Sequence, residues 1–479
     1  MEILSNLVAG RWLPATGKQR VVRSPIDGEV VHEVCFAGEA EIETALDAAQ
    51  AALPRAAAVP KAQRAQALRD LAAGLKRRAP DIAEIIVREN GCPSKNAMAL
   101  QALNAGALLD AFATLAADHS FESTRQGLRG GQVIVQKVPV GVCVGITPWN
   151  VPVFLNCVKI AGAIAAGVPL VLKPSPETSG TTTLIAQALA ELDLPAGMIS
   201  VLHGERDVGR RLVEDSRVAK VSFTGSAKAG AEVATACALR FARCTLELGG
   251  KSAAVLLDDV DLPSVLPELL AAMLQNNGQI CGAQTRLLIP RQRYGEILAV
   301  LGAAFDALRV GDPRRADTDI GPVISAAQRD KIEAIVNGAV ADGARVIAGG
   351  NRPTGVPPGH YVTPTLLADV SVEMPIWREE LFGPVIVACA YDTEDEAIAL
   401  ANHSPYGLAG SVWSPDLKRG AAIAARISSG TVSLNSRRVL DFGSPFGGLR
   451  QSGIGRELGP EGIDSFLESH AIIIPDAVH

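Results

Sequence analysis

The chain has 479 residues, of which 48% are hydrophobic and 20% charged, a balance typical of a globular protein with two or three domains. Its formal net charge is -6 without any block of like charge, and 4% of the residues are aromatic, so a surface for nucleic acid or anionic membranes is not expected. The eight cysteines form no CxxC pair and the seven histidines show neither HxH nor HExxH spacing, which argues against a metal site and a disulfide framework.

The compartment can also be predicted from the sequence. Scattered cysteines without a disulfide pattern favour a reducing environment. The amino terminus, MEILSNLVAGRW, lacks the basic-then-apolar layout of a signal peptide. The longest apolar run, at 160–172, contains glycines and a proline and is too short to span a bilayer. We therefore expect a cytoplasmic protein without a membrane segment.

In chain order, the first 120 residues or so are predicted to be mostly helical, because leucines and alanines recur at helical spacing through 41–75 and 80–116. From about Val140 to Gly250, β-rich runs alternate with alanine-rich helical windows, which predicts parallel βαβ units in a doubly wound, Rossmann-like sheet. A second α/β unit follows, with helices near 294–308, 326–342, 393–402 and 416–428 and strands near 344–348, 384–391 and 430–434.

Two β-rich segments, at 130–138 and 470–475, fit neither unit. Edge strands this apolar would promote aggregation if they were left bare. We expect them to pair with another subunit, and hence a homo-oligomer.

The segment QNNGQICGAQTR at 275–286 places Cys281 in a glycine-bounded turn between a predicted helix and a predicted strand. A core cysteine normally sits within an apolar run, where it behaves as a small hydrophobic residue. A nucleophilic cysteine instead needs access and nearby backbone N–H groups. The segment by itself leaves both interpretations open.

The segment FTGSAKAG at 223–230 lies between a predicted strand and a predicted helix. Its glycines do not fit the GxGxxG fingerprint, although a helix start of this kind can still bind a phosphate. Most such junctions merely cap a helix, so the segment alone is weak evidence for a phosphate site.

Three polar residues stand near the ends of predicted strands, where doubly wound sheets bind their ligands. Lys173 in PLVLKPSPET is either a ligand-binding lysine or a solvated one before a proline turn. Asn150 in ITPWN is either a turn residue or an amide donor to a developing oxyanion. Glu247 in LELGGKS is either a salt-bridged structural glutamate or a general base in a cleft, where burial would raise its pKa.

These segments stand in the order typical of one enzyme family. In order they are PWN, KPSPET, FTGS, LELGGKS, NNGQICGA, EELFGPV at 379–385 and PFGGLRQSGIGRE at 445–457. Through them the sequence resembles the aldehyde dehydrogenase superfamily over nearly its whole length. The resemblance implies an NAD(P)-binding domain at 1–117 and 140–248 and a catalytic α/β domain at 249–450. A small β element at 118–139 and 462–479 would bridge the subunits of a homodimer or homotetramer.

The resemblance also implies covalent catalysis at Cys281, whose thiolate attacks the aldehyde carbonyl to give a thiohemiacetal. Asn150 and the backbone N–H of Cys281 would form the oxyanion hole. Hydride would then pass to the nicotinamide, and Glu247 would activate the water that hydrolyses the resulting thioester. Lys159 and Glu457 match family positions proposed to relay protons from the base, although an ordinary salt bridge is an equal alternative.

By the same resemblance, Lys173 should contact the adenosine ribose, Ser226 the pyrophosphate and Glu380 the nicotinamide ribose. The other implied cofactor contacts are Thr147, Pro148, Trp149, Ser175, Gly225, Gly249 and Phe382. Many NAD-preferring members carry a glutamate where this chain has Pro176, and here the glutamate comes one residue later, at Glu177. The expected cofactor is NAD, with NADP possible.

The implied substrate tunnel is formed by Phe154, Val158, Ile280 and Phe446. All four are apolar, which favours an uncharged hydrophobic or aromatic aldehyde. Family members that oxidise succinate semialdehyde carry an arginine near the position of Val158, so that substrate is not expected. Arg437 and Arg438 precede PFGG and either contact a carboxylate or lie on the surface.

Two alternatives to a hydrolytic enzyme are a CoA-acylating semialdehyde dehydrogenase and a catalytically silent relative. Acylating members usually lack the glutamate base, and silent ones would be expected to lose the thiol or the base. This chain has both Cys281 and Glu247, which favours hydrolysis.

Overall fold

The architecture is that of a computed structural model, which describes residues 3–476. Positions 1, 2 and 477–479 of the predicted domain ranges lie outside the described residues. The strands are β1 (Ile3–Leu4), β2 (Asn6–Val8), β3 (Arg11–Leu13), β4 (Gln19–Arg23), β5 (Val30–Cys35), β6 (Glu122–Gln126), β7 (Gln132–Pro139), β8 (Val142–Ile146), β9 (Leu170–Lys173), β10 (Ile199–Val201), β11 (Val218–Thr224), β12 (Arg243–Glu247), β13 (Ala253–Leu256), β14 (Arg286–Pro290), β15 (Arg345–Ala348), β16 (Thr365–Ala368), β17 (Val385–Tyr391), β18 (Ala409–Trp413), β19 (Thr431–Leu434), β20 (Gly453–Ile454) and β21 (Leu467–Ile474).

The helices are α1 (Glu39–Ala58), α2 (Lys61–Arg77), α3 (Ala79–Asn90), α4 (Ser94–Ala97), α5 (Asn104–Asp118), α6 (Pro152–Ala166), α7 (Ser179–Ala190), α8 (Arg206–Glu214), α9 (Ala227–Ala238), α10 (Leu262–Leu274), α11 (Tyr294–Asp306), α12 (Ala326–Ala341), α13 (Pro375–Arg378), α14 (Glu394–Asn402), α15 (Leu417–Ala424) and α16 (Gly459–Asp464). A π-helical turn, Met98–Leu103, joins α4 to α5.

The first large sheet has eight strands in the order β20-β12-β11-β8-β9-β10-β2-β3. Strands β8 to β12 are parallel to their neighbours among themselves, and helices α6 to α9 connect them in turn. The predicted Rossmann-like alternation is therefore confirmed. Because parallel strands end at one edge of a sheet, Lys173 of β9 and Glu247 of β12 come to the same side, where Asn150 follows β8.

The amino-terminal prediction is only partly correct. Helices α1 to α5 confirm the helical part, whereas β1 to β5 occupy residues that the prediction did not assign to strands. Strands β2 and β3 extend the first sheet, with β2 antiparallel to β10 and β3 antiparallel to β2, and β1, β5 and β4 form a small sheet of their own. Strands of two to six residues are too short for an alternating pattern to identify them.

The second large sheet has seven strands in the order β15-β16-β17-β14-β13-β18-β19. All pairings are parallel except that of β15 with β16. The predicted second α/β unit is thus confirmed. Cys281 lies in the connection that leads from α10 into β14, so the turn that carries it is anchored on both sides by this domain's core.

The third sheet, β21-β7-β6, contains both unassigned β-rich segments. Strand β21 runs antiparallel to β7 from Leu467↔Pro139 to Ile474↔Gln132, and β6 takes the other edge of β7. The expectation that both segments pair with another subunit is therefore wrong for β7, whose two edges are occupied within the chain. The outer edge of β21 has no strand neighbour within residues 3–476, and Ile473 on it is 75% exposed.

One helical stretch, Ser94–Asp118, is long and apolar enough to cross a membrane by length and composition alone. Its inner side, which includes Leu108, Leu109 and Phe112, is buried in the same core as α2 and α6. A core helix of a globular domain passes the same test, so the stretch is weak evidence for a membrane span.

Candidate active site

The turn that carries Cys281 depends on residues in the left-handed conformation. Asn276, Asn277 and Gly278 have φ values of 51°, 60° and 72°. Asparagine tolerates this region better than most side chains, and a Cβ at Gly278 would lie 2.3 Å from the carbonyl oxygen of Gly383. The turn presents Cys281 partly exposed, whereas Cys92, Cys143 and Cys157 are buried in apolar cores.

The Cys281 thiol lies in a strongly perturbing environment. Burial, followed by the charges of Glu380 and Glu247, raises the pKa of the Cys281 thiol to about 12. Hydrogen bonds from the backbone N–H groups of Gly282 and Cys281 oppose this rise in pKa. The thiol is therefore close to two carboxyl groups and two backbone donors, an environment that on balance favours its protonated form.

Asn150 is directly linked to the cysteine turn. The residue is 3% exposed and lies in the loop between β8 and α6. Its side-chain amide donates a hydrogen bond to the carbonyl oxygen of Gln279 at 3.0 Å. The amide thus sits against the backbone two residues before the thiol.

Glu247 ends β12 as a buried carboxyl group, 4% exposed. Neither of its oxygens has a hydrogen-bond partner among the described residues. Burial and the charge of Glu457 raise the pKa of Glu247 well above its usual value. A Cβ at Gly447 would lie 2.7 Å from Oε1 of Glu247, so glycine keeps space open there. A buried carboxyl group whose pKa is raised accepts a proton more readily than an exposed one, as a general base must.

Lys159 and Glu457 form a buried ion pair beside Glu247. Lys159 Nζ also donates to Thr224 Oγ1 at 2.7 Å, and Ser222 Oγ donates to Glu457 Oε1 at 3.0 Å. Thr224 is the register partner of Glu247 on the adjacent strand. The Lys159–Glu457 network therefore adjoins the Glu247 carboxyl group. This arrangement fits either a proton relay or a structural ion pair.

Glu380, the second carboxyl group near the thiol, packs against Gly249 and Gly250. One Glu380 oxygen accepts from the Gly250 N–H at 3.0 Å, and a Cβ on Gly249 would lie 2.2 Å from the other. A Cβ on Gly250 would in turn lie 2.6 Å from the carbonyl oxygen of Cys281. Burial raises the pKa of Glu380 to about 7. The Gly249–Gly250 backbone thus lies between this carboxyl group and the cysteine turn.

Phe382 and Trp149 form an aromatic pair next to this carboxyl group. Their ring centroids are 5.5 Å apart and the rings meet edge to face at 88°. Trp149 directly precedes Asn150, and Phe382 follows Glu380 by two residues. The aromatic pair therefore connects the segment that carries Asn150 with the segment that carries Glu380.

Lys173 and Ser226 both line a cavity of about 330 Å³ beside α8 and α9. Lys173 Nζ donates to the carbonyl oxygens of Pro174 and Gly204 at 3.0 and 2.6 Å, and burial lowers its pKa to about 8. Ser226 is the N-cap of α9, whose side chain accepts from the Ala229 N–H at 3.3 Å. A mostly apolar cavity with a helix start and a lysine at its wall can hold a nucleoside with its phosphates.

The remaining predicted cofactor residues lie around this edge of the sheet. Thr147 donates its hydroxyl to Asn156 at 2.5 Å, so its side chain faces the helix layer. Pro148 is half-buried between Thr147 and Trp149, and Gly225 donates its N–H to the Glu247 carbonyl at 3.0 Å. Ser175 donates to Glu177, which also accepts from Arg20 at 3.0 Å. None of these side-chain bonds by itself identifies a cofactor contact.

The four predicted substrate residues belong to one apolar cluster. Phe154 and Val158 are buried on α6, and Ile280 and Phe446 pack against the same core from the cysteine turn and the carboxyl-terminal loop. Sequence reasoning missed Phe442, whose ring centroid lies 6.0 Å from that of Phe154. The apolar spacing of 439–446 was the available signal.

With this geometry in hand, comparison with known proteins identifies the family. The model of the aldehyde dehydrogenase family matches residues 12–472. The chain belongs to the aldehyde dehydrogenase family. Geranial dehydrogenase of Castellaniella defragrans is 40% identical over 470 residues, which cover 98% of each chain. The 3-succinoylsemialdehyde-pyridine dehydrogenase of a Pseudomonas species is 37% identical over 97% of each chain.

Solved structures agree with this assignment. Mycobacterium tuberculosis aldehyde dehydrogenase complexed with NAD+ superposes with a TM-score of 0.96 at 40% identity, covering 100% of this chain and 99% of that one. A mutant of aldehyde dehydrogenase C from Pseudomonas syringae, in complex with NAD+ and octanal, gives a TM-score of 0.95 at 35% identity, with coverage of 99% and 98%. The predicted family, fold and cofactor are confirmed: this is an NAD-dependent aldehyde dehydrogenase.

Sequence reasoning about this aldehyde dehydrogenase missed the buried amides that surround Asn150. They are Asn90, Gln101 and Asn276, each at most 1% exposed. The asparagine pair before Gly278 was a signal for a left-handed turn. Nothing in the sequence shows that the side chains of Asn90 and Gln101 both reach the backbone carbonyl oxygen of Asn150.

Proposed function

We propose that this enzyme oxidises an uncharged, apolar aldehyde to the carboxylic acid through a covalent intermediate on Cys281. The proposal rests above all on one observation. A partly exposed thiol, a buried carboxyl group with no hydrogen-bond partner among residues 3–476 and a fixed side-chain amide lie close together. In this proposal Cys281 is the nucleophile, Asn150 the oxyanion donor and Glu247 the base.

The first step is addition of the Cys281 sulfur to the aldehyde carbonyl, which gives a thiohemiacetal. Because this environment favours the protonated thiol, its proton must leave as the C–S bond forms, and Glu380, the carboxyl group whose charge acts most strongly on the thiol, accepts it. The carbonyl oxygen becomes negative and is stabilised by the Asn150 amide and the Cys281 N–H. Removal of a donor of this kind typically lowers kcat by about 10²–10³.

When bound, NAD+ would supply the hydride acceptor, and loss of hydride from the thiohemiacetal would leave a thioester on Cys281. Glu247 then takes a proton from water, whose oxygen attacks the thioester carbonyl. The C–S bond breaks, the acid is released, and the departing thiolate recovers the proton held by Glu380. Lys159 and Glu457 would pass the proton onward, since their ion pair adjoins Glu247 through Thr224. Two of these groups, Glu247 and Glu457, repel each other when both are ionised, which is consistent with the raised pKa of Glu247.

The proposed cofactor contacts follow the two sides of the site. Lys173 and Ser226 would bind the adenosine and pyrophosphate at the 330 Å³ cavity, and Glu380 the nicotinamide ribose beside Phe382 and Trp149. The residues fit such a ligand because the start of α9 and the Lys173 ammonium group supply donors at the wall of this mostly apolar cavity. The further proposed contacts are Thr147, Pro148 and Ser175.

NADP is a possible second cofactor. Pro176 offers no carboxylate, but Glu177 lies at the same edge and lines a cleft with Lys173, Arg20 and Glu205. Its carboxylate, held by Ser175 and Arg20, would oppose a 2′-phosphate. We therefore propose NAD as the preferred cofactor.

An apolar substrate is favoured by the lining of the proposed tunnel, Phe154, Val158, Ile280 and Phe446, which packs with Phe442. The names of two similar proteins point the same way, since one acts on geranial and the other was solved with octanal. Other relatives are named for betaine aldehyde and for a pyridine semialdehyde, so the family tie alone does not select a substrate. The guanidinium nitrogen Nη1 of Arg437 lies 3.6 Å from Oε1 of Glu268. This ion pair favours a surface role for Arg437 over a contact with a substrate carboxylate.

We also propose the division into a cofactor domain (1–117 and 140–248), a catalytic domain (249–450) and a bridging element (118–139 and 462–479). The strand membership of the three sheets supports it, because β13 to β19 all lie within the catalytic range. The exposed isoleucines of β21 support assembly as a homodimer or homotetramer.

The proposal is tested by following NADH absorbance with octanal, benzaldehyde, betaine aldehyde and succinate semialdehyde, each with NAD and with NADP. We expect kcat/KM to be highest for the two uncharged aldehydes with NAD, and product formation not to require CoA. Higher kcat/KM for a charged aldehyde would refute the substrate proposal. A strict requirement for CoA would replace it with an acylating reaction.

A further inference from the structure

The backbone carbonyl oxygen of Asn150 is surrounded by side-chain amides. It accepts from Asn276 Nδ2 at 2.9 Å, from Asn90 Nδ2 at 3.3 Å and from Gln101 Nε2 at 3.4 Å. Asn90 also donates to the preceding carbonyl, that of Trp149, at 2.8 Å. A carbonyl oxygen has two lone pairs, so three donors more than saturate it.

These amides come from three separate places in the chain and are fully buried. Asn90 ends α3, Gln101 lies in the π-helical turn Met98–Leu103, and Asn276 precedes Cys281. The side-chain oxygen of each has no hydrogen-bond partner among the described residues. Burying amides with unmatched oxygens is unfavourable for stability, and apolar residues of similar size would avoid that penalty. A requirement other than stability is the better explanation for three such groups at one atom.

Asn150 and the turn that carries Cys281 are moreover joined by hydrogen bonds in both directions. Asn276 donates to the backbone of Asn150, and the side chain of Asn150 donates to Gln279 in the same turn. Two opposed hydrogen bonds fix both the position of the Asn150 backbone and the rotation of its amide relative to Cys281. A displacement of about 1 Å in such a donor is enough to weaken stabilisation of a developing charge.

We infer that Asn276, assisted by Asn90 and Gln101, is a positioning residue that aims the Asn150 amide at the substrate oxygen on Cys281. The inference rests on the proposed function, in which Asn150 is the oxyanion donor. It adds that the donor is held through its own backbone carbonyl, by an amide from the cysteine turn and two from the amino-terminal helices.

Asn277 provides a matched control for Asn276. It is the next residue, equally buried and also left-handed, but its amide binds the carbonyl oxygens of Gly91 and Pro322 at 3.0 and 2.9 Å. Glycine accepts a positive φ without strain, so Asn276→Gly and Asn277→Gly remove comparable side chains at comparable backbone cost. Only the first variant removes a donor from the Asn150 carbonyl oxygen, the one that comes from the cysteine turn.

The test compares both variants alone and combined with Asn150→Ala, using octanal and NAD. We expect Asn276→Gly to lower kcat at least about 10-fold below Asn277→Gly, because a donor at an oxyanion contributes about 10²–10³. In the Asn150→Ala background, Asn276→Gly should change kcat less than twofold, since it acts only through that amide. Gln101→Leu should show the same pattern with a smaller effect, and it serves if Asn276→Gly does not fold.

Equal kcat values for Asn276→Gly and Asn277→Gly would overturn the inference. So would an undiminished effect of Asn276→Gly in the Asn150→Ala background, which is the result expected of a merely structural residue. If Asn150→Ala itself turned over at the wild-type rate, the proposed oxyanion donor would fail, and the inference with it. The two failures are thus distinguishable.

Discussion

Replacing Glu247 by glutamine is the most informative single change in the proposed site. Glutamine keeps the size of the side chain but cannot take a proton from water. Since neither carboxylate oxygen of Glu247 has a partner among the described residues, the substitution breaks no hydrogen bond of the fold. Loss of a general base typically lowers a rate by about 10²–10⁴, and we expect the steady-state turnover to fall within that range.

The step that fails should be hydrolysis of the thioester, so reduction of the cofactor in the first turnover should survive. Stopped-flow absorbance of NADH should therefore show a burst of about one equivalent per active site, followed by a slow phase. In the wild type, Glu247 works only when ionised, and burial with the charge of Glu457 raises its pKa. The turnover of wild type should thus rise with pH through that raised pKa, and this limb should vanish in the variant.

Stability provides an independent check on the same residue. A carboxyl group with a raised pKa in the folded state favours the protonated form, so its ionisation destabilises the fold as pH rises above the ordinary value. Glu247→Gln should therefore melt no lower than wild type at pH 8. Glu41→Gln is a matched control, because Glu41 is also buried but caps α1 and lies outside the site. A Glu247→Gln enzyme with wild-type turnover and no burst would refute the assignment.

Four further predictions follow from the site. Cys281→Ala should lose at least about 10³ in kcat while NAD affinity, measured by calorimetry, stays within threefold; full activity would exclude the covalent route. Iodoacetamide should alkylate Cys281 of the cofactor-free enzyme about tenfold faster per pH unit between pH 7 and 10, because its pKa is about 12, and a plateau in this range would contradict that pKa. Glu177→Gln should raise NADP affinity relative to NAD at least about fivefold, whereas Glu191→Gln, which pairs with Arg77 and Arg78 and does not line that cleft, should not; equal ratios would dismiss Glu177. Phe446→Ala should lower kcat/KM for octanal by about 10-fold, with little change for propanal, and an equal loss for both would remove Phe446 from the tunnel.

Much of the fold was predictable because its signals are local. The runs around Lys173 and Glu247 are short, apolar and followed by helical windows, so their place at strand ends could be read from the order of elements. Strands β2 and β3 were missed because each is three residues long and because β2 joins the sheet through β10, which lies almost two hundred residues away. Register over such distances leaves no local pattern.

The site also contains residues with a local sequence signal and residues without one. Cys281, Asn150 and Glu247 were proposed as site residues from motifs whose neighbouring residues indicate the chemistry, and the structure places them close together. The amides of Asn90 and Gln101 were not found, because a buried side-chain amide in a helix looks like any other polar position until the atom it binds is known. The ion pair between Glu177 and Arg20 was missed for a similar reason, because Arg20 lies on strand β4, which was not predicted.

The central claim is that the substrate becomes bonded to the sulfur of Cys281. Mass spectrometry of Glu247→Gln, quenched in acid after mixing with octanal and NAD, tests it most directly. We predict one octanoyl group per chain, on the peptide that contains Cys281, and none on the same peptide of a Cys281→Ala double variant. An acyl group on any other residue, or a NADH burst without acylation, would contradict the account.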